Sequence, residues 1–284
     1  MGLRINTNVP SLIAQRNLRI NRSSLDKSLE RLSSGSRINH AGDDAAGLAI
    51  SESIKAQLRG LAQAERNAMD GISLVQVAEG AMAEVSNILI RMRELGVQAS
   101  SDTVGDQERK FMDVEFQQLL EEIDRIANST EFNRVPLLNG GSTTFEIQIG
   151  TRNNPTIDRV KLFDAAAADI NVVALGINLA GVSDKSSAQN TLSAIDSAIS
   201  SVTSIRAEFG AMQNRLQSVV NNMMISRENL ATANSRIRDA DVAEEATELT
   251  KNQILMQSGV SVLSQANNTI RSALSLLGGG GGMG

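Results

Sequence analysis

From Ser186 to Arg238 the chain reads SSAQNTLSAIDSAISSVTSIRAEFGAMQNRLQSVVNNMMISRENLATANSRIR, and the spacing of its apolar residues decides the fold. Ile195, Val202, Phe209, Leu216, Met223, Leu230 and Ile237 fall seven apart, and Ala198, Ile205, Met212, Val219, Ala233 and Ala240 lie three beyond most of them. Apolar residues at steps of three and four share one side of an α-helix, so the stretch predicts one long helix with a narrow apolar seam. At 1.5 Å per residue its length is roughly 80 Å.

Working outward, the same spacing recurs in Ile54, Leu61, Ala68, Val75, Met82 and Leu89, flanked by Leu58, Ile72, Ala78, Val85 and Met92. A second helix of similar length is therefore expected from about Asp44 to Ser100. Ser101 to Asp106 breaks it with Asp, Thr and Gly, after which Met112, Phe116, Leu119, Ile123 and Ile126 mark a shorter third helix, antiparallel to the second. Between Glu131 and about Leu175 the helical period gives way to turn residues, Asn139-Gly140-Gly141 and Arg152-Asn153-Asn154-Pro155. Phe145, Ile147 and Ile149 alternate, as do Val160 and Leu162, which predicts one β-hairpin as the only sheet. Asp164 to Gly181 reads as an irregular connection. The fold class is mainly α, a long antiparallel helical coiled-coil bundle with one small β-hairpin.

The two ends carry stripes of their own. Leu18, Leu25 and Leu32, with Leu29, form one; Leu249, Met256, Leu263, Ile270 and Leu277, joined by Val260 and Leu274, form the other. The C-terminal stripe is out of phase with the long helix, since steps of seven from Ile237 reach Glu244 and Lys251 rather than Leu249. A break at Arg238 to Asp241 follows, matched at the other end by Ser33-Ser34-Gly35 and Ala41-Gly42-Asp43-Asp44. A single seam cannot bury itself, and pairing the two ends still leaves Ile5, Val9, Ile13, Ile254 and Val262 outside. Contiguous exposed apolar surface marks an interaction site, so the ends are expected to pack against other copies.

Composition narrows the function from the other direction. Within 284 residues, 41% apolar content suffices for a buried core, and the absence of Cys, Trp and Tyr beside only three Pro favours helices. Lys and Arg number 27 against 32 Asp and Glu, with the signs interspersed and no basic stripe carrying aromatics, which argues against nucleic-acid binding. No apolar run approaches the roughly 20 residues that span a bilayer. The polar residues after Arg4 offer no apolar signal-peptide core, so export is expected to leave the N-terminus intact.

No constellation supports enzymatic chemistry, and no metal or cofactor site is expected. His40 stands in a loop-like stretch with no second histidine or cysteine, which favours a solvated or locally bonded role. Asp43-Asp44 reads as the N-cap of the second helix rather than as a catalytic pair. Gly140-Gly141 lacks the helix and lysine of a phosphate loop. The run Gly278 to Gly282 has nothing to pack with and reads as a flexible end.

Longer stretches resemble the bacterial flagellins. They are Ile5-Asn6-Thr7-Asn8, Leu29-Glu30-Arg31-Leu32-Ser33-Ser34-Gly35-Ser36-Arg37-Ile38-Asn39, Asp43-Asp44-Ala45-Ala46-Gly47-Leu48-Ala49-Ile50 and Gln63-Ala64-Glu65-Arg66-Asn67-Ala68-Met69-Asp70-Gly71-Ile72-Ser73. Arg91-Met92-Arg93-Glu94-Leu95, Glu122-Ile123-Asp124-Arg125-Ile126-Ala127, Glu131-Phe132-Asn133, Ser235-Arg236-Ile237-Arg238-Asp239-Ala240-Asp241 and Gln265-Ala266-Asn267 continue the signature. Together they cover about 1–150 and 185–277.

The resemblance implies a subunit that polymerises into the extracellular filament of the flagellum and gives motility. It implies export in an unfolded state through the flagellar type III system, with an export chaperone and a filament cap as further partners. In that plan 1–42 and 241–284 form the inner D0 domain, while 43–180 and 181–240 form D1. Too little lies between Leu138 and Ser186 for large outer domains, so the chain resembles a minimal, core-only member. The implied polymerisation seam is Leu18, Leu25, Leu29, Leu32, Leu249, Met256, Val260, Leu263, Ile270, Leu274 and Leu277. By the same resemblance Arg91, Leu95 and Glu115 form the surface that faces the innate immune receptor TLR5, although Ile90 and Gly96 replace residues that are polar or larger in the flagellins that receptor recognises best.

Two other functions share parts of the pattern. A hook–filament junction protein has the same two-ended helical plan, but the dense match through both rod and ends favours a filament flagellin. A cytoplasmic signalling hairpin also carries long heptads, yet it needs neither the phase breaks nor the matched end helices.

Overall fold

The structure, a computed structural model, describes residues 7–278, of which 273–278 are described as backbone only. Ile5 and the glycines beyond Gly278 fall outside the described residues. In chain order the elements are α1 (Val9–Ser34), α2 (Ala45–Ala99), α3 (Asp106–Ser129), β1 (Glu131–Phe132), β2 (Val135–Pro136), β3 (Thr144–Gln148), β4 (Arg159–Asp164), α4 (Lys185–Arg238) and α5 (Val242–Gly278). They form two compact units, one from residues 56–229 and one from the residues up to Lys55 together with those from Leu230 onward. The chain passes between the units within α2 and within α4.

The 56–229 unit is built on the seam that the heptads predict. Val75, Ala78, Met82, Val85, Leu89 and Met92 of α2 are fully buried, and so are Ile195, Ala198, Val202 and Leu216 of α4. Phe116, Ile123 and Ala127 of α3 close the third side. Ion pairs fix the antiparallel register of α2 and α4: Glu65 with Arg227, Glu79 with Arg206 at 3.9 Å, and Arg93 with Asp196 at 2.7 Å. The Arg91–Glu115 ion pair and a hydrogen bond from Arg109 Nε to the carbonyl of Ala99 do the same for α2 and α3, as an antiparallel hairpin requires.

The β3–β4 hairpin is antiparallel, with a register shift between Phe145 and Glu146. Phe163 stands 5.0 Å from Phe145 and 4.7 Å from Phe209 between ring centroids, so one aromatic chain fastens the hairpin to α4. On α2 the hairpin meets small residues. A Cβ on Gly71 would lie 2.2 Å from Ile147 Cδ1, and one on Gly60 would lie 2.7 Å from Thr151 Cγ2, so a larger residue at either place would force its neighbour to move.

The expectation of a single sheet needs correction. Glu131–Phe132 pairs with Val135–Pro136 through a two-residue turn in which Asn133 and Arg134 both have positive φ, 51° and 65°. That is the backbone of a type I′ turn without its usual glycine, and two-residue strands are too short to show an alternation. The Asp164–Gly181 connection is irregular, as read, but it is also core. Ile170, Ile177 and Val182 are fully buried, and Asp124 and Asp113 accept the backbone N–H groups of Val172 and Val182, each at 2.8 Å.

In the other unit α1 and α5 lie antiparallel. Asn8 caps α1 by accepting the N–H of Ser11, and Gly35 ends it with φ 68°, a left-handed conformation that suits glycine. The two sequence breaks meet. Arg37 N–H donates to Arg238 O, Ala240 N–H donates to Gly35 O, and Ser36 bridges Asp239.

Candidate assembly surface

The seam between α1 and α5 follows steps of three and four on both helices. On α1 it comprises Ser11, Ala14, Leu18, Leu25, Ser28 and Leu32; on α5 it comprises Glu245, Leu249, Asn252, Met256, Leu263 and Ile270. The helices approach closely at Gly259, where an added Cβ would lie 2.7 Å from Leu18 Cδ2. Seven predicted seam residues, Leu18, Leu25, Leu32, Leu249, Met256, Leu263 and Ile270, are half-buried on this line. Leu29 and Val260 are off it and exposed. The side chains of Leu274 and Leu277 lie outside the described residues.

Polar groups occupy the end of the seam nearest the linker. Arg31 donates to Glu245 at 2.7 Å, and Glu245 is buried. Asn252 is buried as well. A charged pair at a seam position favours one register over its neighbours, as polar residues do in coiled coils.

The linker between α1 and α2 is tied by the acidic pair, with the roles divided. Asp44 caps α2 by accepting the N–H of Gly47 at 2.8 Å, as expected. Asp43 does not cap. It pairs with Lys27 of α1 at 2.7 Å and accepts the N–H groups of Asn39 and His40. The hydrogen bond from Lys27, and then that from the His40 backbone, hold its carboxyl well below the usual carboxylate range. His40 is exposed and sits 2.8 Å from Glu30, the local role expected of it. Glu52 pairs with Arg238 at 2.5 Å, and that hydrogen bond lowers the Glu52 carboxyl in turn.

Away from the seam, the pair of end helices carries exposed aliphatic side chains among its polar ones. Val9 and Ile13 on α1 and Ile254 and Val262 on α5 are exposed, as the sequence predicts, Val262 to 58%. Leu12, Ile20, Leu255 and Val260 join them. Leu12, Ile20 and Leu255 stand outside the stripes read from the sequence and Val260 is expected in the seam, but plotting α1 and α5 at 3.6 residues per turn places all four off it. A pocket of about 350 Å³ on α5 lies among Ser261, Val262, Gln265, Ala266 and Thr269. No described helix is long and apolar enough to cross a membrane.

In the 56–229 unit, Arg91 bridges Glu94 at 3.0 Å and Glu115 at 2.9 Å, and all three are exposed. Those bonds, Glu94 first, raise the Arg91 guanidinium above its ordinary value. Leu95 does not share this surface. It is 1% exposed and packs in the core, because it lies on the α2 face that also carries Met92 and Ala99.

Residues 5–143 match the family model for the bacterial flagellin N-terminal helical region, and residues 192–277 match the model for the C-terminal helical region. The chain belongs to the bacterial flagellin family. It is 45% identical to a flagellin of Halalkalibacterium halodurans over 273 residues, covering 96% of this chain and 99% of that one. It is 42% identical to a flagellin of Bacillus subtilis, over 97% of this chain and all of that one. The flagellar filament 33 kDa core protein of Treponema phagedenis is 41% identical over 96% and 99% of the two chains. A solved structure of a putative flagellar hook-associated protein from Vibrio parahaemolyticus has the same fold over 69% of this chain and all of that one, with a TM-score of 0.58 at 16% identity. Flagellins are structural subunits of the flagellar filament, which lies outside the cell, and the two family models together take in all of α1 to α3 and most of α4 and α5.

Proposed function

We propose that the chain polymerises by laying the exposed aliphatic faces of α1 and α5 against those of neighbouring copies, with the α1–α5 pairs forming the inner tube of the filament. The observation that carries this reading is the cover of Val9, Leu12, Ile13, Ile20, Ile254, Leu255, Val260 and Val262 on a two-helix unit. Removing one such side chain from water contributes roughly 1.5–3 kcal/mol, and a polymer repeats that gain in every subunit. The seam residues Leu18, Leu25, Leu32, Leu249, Met256, Leu263 and Ile270 hold the pair together so that Leu29 and Val260 can face outward. Electron microscopy of the full chain seeded with filament fragments tests the reading. Tubes of regular diameter are expected, and a protein that stays monomeric beside growing seeds of its own overturns it.

Export precedes assembly in this proposal. The subunit leaves the cell unfolded through the flagellar type III channel, without loss of an N-terminal signal, and an export chaperone and the filament cap handle it on the way. The alternative of a hook–filament junction subunit is disfavoured by identity above 40% to named flagellins over nearly full length.

The free subunit also offers Arg91 and Glu115 to TLR5, by family resemblance, on a surface that excludes the buried Leu95. Their bridge across α2 and α3 supports this, since it presents one arginine in a fixed geometry. A subunit carrying Arg91→Ala and Glu115→Ala should stimulate the receptor less than the parent does. Equal stimulation overturns this contact.

A further inference from the structure

The α1–α5 pair has two unlike flanks. Counting 3.6 residues per turn from the seam puts Arg19, Arg22 and Leu29 of α1 on the same side as Val260 of α5. Asn8 marks that side directly, since its side chain reaches Ala266 O at 3.2 Å and Asn267 Oδ1 at 3.4 Å across the pair. The same count puts Ile13 of α1 on the other side, with Glu244, Glu248, Leu255 and Val262 of α5. Both flanks are apolar in part, but one carries arginines and the other glutamates.

The charges are not used up within the chain. Arg19 and Arg22 are exposed and have no acidic partner among the described residues, and the Glu244 carboxylate has no basic one. Glu248 meets Lys251 at 2.9 Å, an exposed i,i+3 pair of little net strength. Asp26 and Arg31 stand nearby, Asp26 toward the arginine side and Arg31 already held by Glu245.

Resting on the polymerisation reading above, we infer that successive copies join flank to opposite flank, with Arg19 and Arg22 of one copy against Glu244 and Glu248 of the next. Unlike surfaces that meet in this way are heterologous, so the contact propagates instead of closing a two-fold dimer. The charges also sit at different heights. The Arg31–Glu245 contact places Glu248 and Glu244 level with the last two turns of α1, whereas Arg19 and Arg22 lie two to three turns earlier. Pairing them staggers neighbouring copies by roughly 10–20 Å along the helices, at 1.5 Å per residue. A stagger gives a helical array rather than a flat ring.

The test is charge reversal in the full chain, read as critical concentration in a sedimentation assay. Arg19→Glu with Arg22→Glu, and separately Glu244→Arg with Glu248→Arg, should each raise it about tenfold or more, equivalent to 1.4 kcal/mol. All four substitutions together should return it to within about threefold of the parent, since the pairs are restored with their signs exchanged. Parent-like assembly of both reversed proteins overturns the inference, and so does a fourfold variant no better than either. A second arm does not depend on the folding of reversed proteins. Raising ionic strength should weaken assembly of the parent more than that of an Arg19→Gln, Arg22→Gln variant, and equal salt responses overturn the pairing. A parent that forms no polymer at all instead rejects the polymerisation reading on which the pairing rests.

Discussion

Arg109 of α3 donates its Nε to the carbonyl of Ala99 at 2.9 Å, so a charge at the start of one helix closes the end of another. Its Nη2 donates to Ser101 O at 2.9 Å and its Nη1 to Asp106 at 2.8 Å. The last carbonyls of a helix have no partner within it, and this guanidinium, only 7% exposed, satisfies that of Ala99 at the end of α2 and also binds that of Ser101 in the turn that follows. Arg109→Met keeps most of the volume and removes all three bonds. It should lower the stability of the 56–229 unit by about 1–3 kcal/mol per unsatisfied buried group, read from chemical denaturation. Arg109→Lys should recover part of this loss, having donors but no planar fork. An unchanged midpoint for Arg109→Met would show that water replaces the guanidinium without cost.

Asp43 links acidity to the α1–α2 linker. Its carboxyl is held below the usual range, chiefly by Lys27, so folding favours the charged form. For a depressed carboxylate the stabilising effect is complete above the ordinary value and is lost as the pH falls through the folded one. The Asn39 and His40 amides, which donate to Asp43, should therefore lose hydrogen-exchange protection only in acid well below pH 4, the ordinary aspartate region. Asp43→Asn should lower protection already at neutral pH and flatten the acid response. A parent-like profile for that variant would remove Asp43 from the role.

The free subunit should be unevenly stable. Buried residues on the α1–α5 seam are Ser11, Ala14, Ser28, Glu245 and Asn252, small or polar, whereas the 56–229 unit buries Phe116, Phe209, Leu89, Met92 and Ile195. Less apolar surface leaves water in the end helices, so they should open at lower free energy. Hydrogen exchange on a verified monomer should show weak protection throughout α1 and α5 and strong protection in the middle of α2 and α4, with the ends becoming protected on assembly. Equal protection of all four helices in the monomer would contradict this.

How much of this was legible in the sequence depended on the kind of interaction. The heptads of α2 and α4 were plain because a long seam repeats its signal many times, and the phase slip between Ile237 and Leu249 located the break before α5. The β1–β2 turn was hidden because Asn133 and Arg134 take positive φ without a glycine to announce it. Leu95 belongs to the Arg91 and Glu115 patch only by family resemblance, which does not show how far it turns into the core of this chain. On α2 it follows Arg91 by one turn and about 40° of rotation, which carries it from the exposed side onto the buried face of Met92 and Ala99. Asp43-Asp44 reads as one cap because a sequence does not show that Lys27 lies within reach of the first of them. The core role of Ile170, Ile177 and Val182 was masked for a related reason, because a connection held by Asp113 and Asp124 has no periodicity to count.

Leu263 and Ile270 lie one heptad apart, half-buried on the α5 face that meets α1. Replacing both by Asp should abolish filament formation while leaving the 56–229 unit folded. The substitution puts two carboxylates without basic partners on an apolar seam, and burying an unpaired carboxylate costs several kcal/mol. In the free subunit the end helices can separate and hydrate those groups, which limits the penalty there. In the polymer they cannot, and every subunit bears the cost. The core from Val75 to Met92 and from Ile195 to Leu216 shares no residue with this seam, so its melting transition should stay near the parent's. Sedimentation and a thermal melt are therefore read together. Polymer at the parent's critical concentration would show that the α5 seam is dispensable for assembly, whereas loss of the melting transition would show that the end helix supports the core of the 56–229 unit.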